Sequence, residues 1–191
     1  MAWPRRRRWG VRVLVPVLAG VVVACSGGAG AEEREYSVPE ELCGLPIDVG
    51  SFDALFPPGE EMQVRDQFQR TGGHLLPDGM CTVTVDGDPA FHLALTPAYE
   101  GGVQEVVDKR RYEITDDTPD TLRIGPLAAI RYVECGDATP QRPPEYDYDG
   151  FGTSVGVEGD GGEDLSGTLE QVVGPLAEEV APQVHPEFCD V

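Results

Sequence analysis

The stretch Cys81-Thr82-Val83-Thr84-Val85-Asp86-Gly87-Asp88-Pro89-Ala90-Phe91-His92-Leu93-Ala94-Leu95 decides the fold. Its first five residues place Cys81, Val83 and Val85 on one side and Thr82 and Thr84 on the other, the period of a half-buried strand. Asp86-Gly87-Asp88-Pro89 is turn chemistry. Ala90 to Leu95 then resumes as a strand in which His92 lies beside Leu93 and faces the opposite way, at a surface or half-buried position. The unit is a β-hairpin.

Working outward, Ser51 to Phe56 suggests a short helix with Ser51 as N-cap, Phe52 and Phe56 on one face, and Pro57-Pro58-Gly59 as the stop. Met62 to Phe68 alternates as a strand until Thr71-Gly72-Gly73. Val103, Val106 and Val107 mark a helix over Val103 to Arg111. The basic cluster Lys109-Arg110-Arg111 falls in its last turn, where cations complement the helix dipole on a solvated face. Leu122 to Ile124 and Leu127 to Cys135 form a second strand pair about Gly125-Pro126, and Phe151 to Val157 adds a strand after the Pro-rich, acidic loop Gln141 to Gly150. Leu169, Val172, Val173, Leu176 and Val180 have helical spacing, with a kink expected at Gly174-Pro175. Strands followed by a helix, twice over, predict an α+β fold: an antiparallel sheet with two main helices packed against it. The two halves are too dissimilar in sequence to read as a duplication.

The chain has 191 residues and five cysteines, at positions 25, 43, 81, 135 and 189. Cys43, Cys81, Cys135 and Cys189 make an even set for an oxidising compartment, and no pair has the CxxC spacing of a redox site or zinc ribbon. Two disulfides are expected. Of the three connectivities we favour Cys43–Cys81, tying the N-terminal segment to a central strand, with Cys135–Cys189, pinning the tail to the sheet.

The N-terminus carries Arg5, Arg6, Arg7 and Arg8, then an apolar run from Val13 to Ala24, then Val22-Val23-Ala24-Cys25. The run has the length of a secretory core and is short of the about 20 residues of a spanning helix. This arrangement resembles a bacterial lipoprotein signal, in which the cysteine receives a diacylglycerol and the preceding bond is cut. The alternative is an ordinary signal peptide cut near Ala24 or Ala29. The arginine run also loosely resembles a twin-arginine export signal, with plain secretion favoured. Residues 1–24 are thus expected to be a signal peptide, 25–41 a lipidated cysteine with a flexible acidic tether, and 42–191 one globular extracytoplasmic domain. With its GC-rich residue usage, the whole resembles the small, uncharacterised lipoproteins exported by Streptomyces-like actinobacteria. The resemblance implies lipidation at Cys25 and location on the outer side of the cell membrane. It implies no reaction.

Arg5 to Arg8 and Arg12 leave with the signal, so 9 of 14 basic residues stay with all 34 acidic ones, for a formal charge of −25. Such a surface is soluble and self-repelling, disfavours anionic headgroups and effectively excludes nucleic acid as a partner. The membrane is expected to be met only through the lipid, with an envelope protein or small molecule as the open choice of ligand.

Three patterns bear on chemistry. Gly152-Thr153-Ser154-Val155-Gly156 spells G-x-S-x-G, with Asp160 or Asp164 and His185 downstream in hydrolase order. That motif needs a strand before the serine and a helix directly after it, whereas Val155 to Val157 continues the strand. Asp147, Asp149, Gly152 and Glu158 partly match an EF-hand loop, with Glu158, Asp160, Glu163 and Asp164 adding carboxylates, but Phe151 stands where an oxygen ligand belongs. A solvated acidic loop is the simpler expectation there. His74, His92 and His185 lack metal-ligand spacing, so no metal or cofactor is expected. Tyr146, Tyr148 and Phe151 could form a binding lip or pack over the sheet edge. The sequence therefore favours a non-catalytic binding or interaction module, with a Ser154 hydrolase and a calcium-stabilised module as alternatives.

Overall fold

The computed structural model describes residues 34–99, 102–110, 112, 114, 121–136, 149–158 and 164–189. The signal, Cys25, Arg111, Tyr146, Asp147, Tyr148, Asp160 and Glu163 lie outside them.

The chain opens with a two-stranded hairpin, β1 (Glu41–Leu42) and β2 (Leu45–Pro46), and the short helix α1 (Val49–Phe52), which runs on into a 3-10 turn at Asp53–Leu55. The cap of α1 is Asp48, whose carboxylate accepts the Ser51 N–H at 3.0 Å. Ser51 is thus the capped residue. Next come β3 (Met62–Asp66), a small hairpin of β4 (Arg70–Thr71) and β5 (His74–Leu75), and the long pair β6 (Gly79–Val85) and β7 (Asp88–Ala98). Asp86 and Gly87, at φ +54° and +89°, make the two-residue turn of this pair, as the Asp-Gly dipeptide requires. Helix α2 (Gly102–Arg110), β8 (Leu122–Ile124), β9 (Ala128–Glu134), β10 (Gly150–Val157) and α3 (Ser166–Val180) complete the order. Pro175 lies within the hydrogen-bonded span of α3.

β3, β6, β7, β10, β9 and β8 form one antiparallel sheet in that spatial order. The fold is α+β, as expected from the sequence, with β10 inserted between β7 and β9. The two main helices occupy opposite faces. Leu169, Val172, Val173, Leu176 and Val180 of α3 pack with Phe91, Leu93, Leu95, Phe151, Val155 and Ala129 in the main core. Val103, Val106 and Val107 of α2 pack with Ala98, Ile130 and Tyr132 in a smaller one. The strand alternation sorts these residues, since Ala129 and Ile130 are neighbours in β9 and serve different cores.

Both expected disulfides are present, Cys43–Cys81 and Cys135–Cys189. The tail is held further by the His185 N–H, which donates to the Leu75 carbonyl at 3.0 Å. The body begins earlier than residue 42. Arg34 pairs with Asp53 at 2.6 Å and donates to the Phe56 carbonyl at 2.7 Å, and the Tyr36 hydroxyl donates to the Pro57 carbonyl. The tether expected over 25–41 is therefore docked from Arg34 onward. Among the described residues, no helix is long and apolar enough to cross a membrane.

Candidate functional site

On the α2 side of the sheet, β10 presents Gly150, Gly152, Ser154 and Gly156. A Cβ on Gly152 would stand 2.5 Å from Val106 of α2, one on Gly150 would stand 2.4 Å from the Tyr132 hydroxyl, and one on Gly156 would stand 2.6 Å from the His92 ring. The G-x-S-x-G pattern is thus the small face of a central strand. Helix and side chains lie directly on its backbone, an approach that β-carbons would prevent.

Ser154 sits mid-strand between Ala94 and Ile130 and is 0% exposed. No strand–turn–helix elbow forms there. Of its expected partners, Asp164 accepts the Ser166 N–H at the start of α3, and His185 stacks edge-to-face on His74 and Phe188. The structure brings neither to Ser154, and Asp160 lies outside the described residues. The EF-hand match also fails in three dimensions. Gly152 and Phe151 are strand residues, Phe151 is in the main core, and Asp149 and Glu158 flank opposite ends of β10. At about 3.3 Å per residue, that strand keeps these two carboxylates roughly 30 Å apart. Burial of Phe151 likewise removes it from an aromatic lip.

A different set converges beyond the end of α2. The register aligns Arg65, Thr82, His92, Gly156 and Ala128 across five strands. Over Gly156 lies a cavity of about 420 Å³, lined by His92, Arg110, Tyr112, Leu127 and Glu158 among others. The His92 ring is nearly parallel to that of Tyr112, with Nε2 2.7 Å from the phenol oxygen. His92 Nδ1 is 3.5 Å from Glu158 Oε1. Tyr112 in turn is 3.4 Å from Ser154 Oγ, which is also 3.4 Å from the Ala94 carbonyl.

One proton assignment satisfies both His92 pairs, and the single Ser154 hydroxyl proton then goes to either the Tyr112 oxygen or the Ala94 carbonyl. An ionised carboxylate only accepts, so His92 carries its proton on Nδ1 toward Glu158, and Nε2 accepts from the Tyr112 hydroxyl. Burial holds the His92 pKa below its ordinary value, against the pull of Glu158 and with the push of Arg110. Burial also raises that of Tyr112. Both rings are therefore neutral near pH 7.

Arg110 anchors the far wall, its Nε donating to Thr96 Oγ1 at 2.6 Å and its Nη2 to the Leu95 carbonyl at 2.9 Å. Lys109 reaches the Pro97 carbonyl at 2.8 Å and Glu105 at 2.7 Å. Lys109 and Arg110 do stand in the last turn of α2, with Lys109 exposed, but the turn is more than a dipole complement. Two of its cations clamp the helix onto β7, and one of them also faces the cavity.

The sequence pointed to His92, Arg110 and Glu158 for other reasons and did not single out Tyr112. Register brings His92 beside Gly156 and the Glu158 end of β10, which only the paired strands reveal. Compared with known proteins, the chain matches no family model, no curated protein and no solved structure.

Proposed function

We propose that the chain is a lipid-anchored module of the extracytoplasmic membrane face and a non-catalytic binding protein whose ligand is a small molecule. The observation that carries it is the cavity of about 420 Å³ at the end of α2. Its volume falls within the about 300–1,000 Å³ of small-molecule sites, and it combines apolar walls with a few convergent polar groups. Those groups come from β7, the end of α2, and the end of β10, so a rigid central sheet sets their spacing. Binding is favoured over hydrolysis because a nucleophile must reach its substrate, and Ser154 is fully buried in the sheet. The lipid anchor at Cys25 follows from the signal-like N-terminus, and the two disulfides suit an oxidising compartment.

The test is a melting-temperature screen of the protein against a small-molecule panel, run in parallel on Leu127→Trp. Leu127 is half-buried on the cavity wall, and an indole there fills the space. Compounds that raise the wild-type melting temperature and leave the variant unmoved support the cavity. Equal shifts in both proteins, or none in either, would contradict it.

A further inference from the structure

Building on that cavity as a binding site, we propose that its ligand is a small zwitterion of the α-amino acid type, whose carboxylate meets Arg110 and whose ammonium meets Glu158.

Among the described residues that line the cavity, the charges are one of each sign, Arg110 and Glu158. Arg110 is held by two of its N–H donors, to Thr96 Oγ1 and the Leu95 carbonyl. The guanidinium has five donors in a fixed plane, so the fork is positioned before a ligand arrives, and its Nη1 edge suits a carboxylate. Glu158 is 57% exposed, with Oε1 beside His92 Nδ1. It accepts only, and an ammonium supplies the complementary donors.

His92 and Tyr112 lie close enough to both Arg110 and Glu158 to feel their fields, and neither adds a charge. Counted over the described residues, the site is therefore neutral overall and dipolar. A simple anion would leave Glu158 opposed to it, and a chain with a formal charge of −25 after loss of the signal would repel it at a distance. A simple cation would leave Arg110 opposed to it. Pro126, Leu127, Ala128 and Val157 give the same cavity an apolar wall, which suits an aliphatic or aromatic side chain. Gly156 forms the floor, and a Cβ there would strike His92 at 2.6 Å.

Isothermal titration calorimetry on the full chain in mild detergent tests this with L-valine, L-leucine and L-phenylalanine, each also as its N-acetyl and its amide derivative. At least one free amino acid is expected to bind about tenfold or more tightly than either blocked form, the scale of one charge-assisted hydrogen bond. Glu158→Gln should abolish the preference for the free acid over the N-acetyl form. Arg110→Gln should abolish the preference over the amide, with Arg110→Lys as the milder variant if loss of the β7 clamp unfolds the chain. Blocked forms binding as well as free ones would overturn the proposal, as would silence from all three amino acids. If other compounds then bind in a Leu127→Trp-sensitive way, the cavity remains a binding site and only the zwitterion falls. If none does, both fall.

Discussion

Gly156 shows how one missing side chain organises the site. A Cβ at this position would lie 2.6 Å from His92 Cε1 and 3.2 Å from Tyr112 Cε1, so Gly156→Ala must push both rings off the strand. We expect a loss of about 1–3 kcal/mol in urea unfolding, typical of overpacking, together with weakened binding in the cavity. His92 adds a pH dependence. Its folded pKa is depressed by burial, so the unfolded state binds the extra proton first as pH falls below about 6.5. Stability from this group is complete above that value and is lost as pH falls toward the folded pKa. Unfolding measured from pH 7 to pH 5 should show a smaller slope in His92→Asn than in the wild type. Tyr132 works in the opposite sense. Burial raises its pKa to about 12, so its contribution is full below about 10 and declines above it. Tyr132→Phe should flatten that alkaline decline.

Elements were legible where periodicity and turn chemistry agreed. The Cys81–Leu95 hairpin and the α3 stripe could be read directly, because each is written in local spacing, whereas the four cysteines left three connectivities open, of which the favoured one is present. What stayed hidden depends on pairing between distant strands. Gly152-x-Ser154-x-Gly156 is ambiguous alone, and only its position between β7 and β9 shows it to be a packing face. His92 likewise meets Gly156 only through register. Two predictions belong here. Pro175 is exposed within α3 and has no N–H to offer the preceding turn, so Pro175→Ala should restore that bond and stabilise by about 1–3 kcal/mol in thermal unfolding. Removing Cys135–Cys189, which closes a sequence separation of 54, should cost about 2–4 kcal/mol and free the tail from the sheet. Proteolysis near the C-terminus of Cys135→Ser/Cys189→Ser should then be faster than in the wild type.

At the scale of the whole molecule, a strongly acidic domain would avoid anionic lipid headgroups by its own charge. The proposed diacylglycerol supplies what that surface lacks, since two acyl chains hold a protein stably where one does not. Cys25 is also the cysteine left over once Cys43–Cys81 and Cys135–Cys189 have formed. The described body starts at the docked Arg34 rather than at residue 42, inside the segment expected from the sequence to be tether. The anchored state is tested most directly by fractionating cells that express the wild type and Cys25→Ser. The wild type is expected in the membrane fraction, and the variant in the soluble extracytoplasmic fraction with both disulfides formed. A variant that remains with the membrane would contradict the lipid anchor.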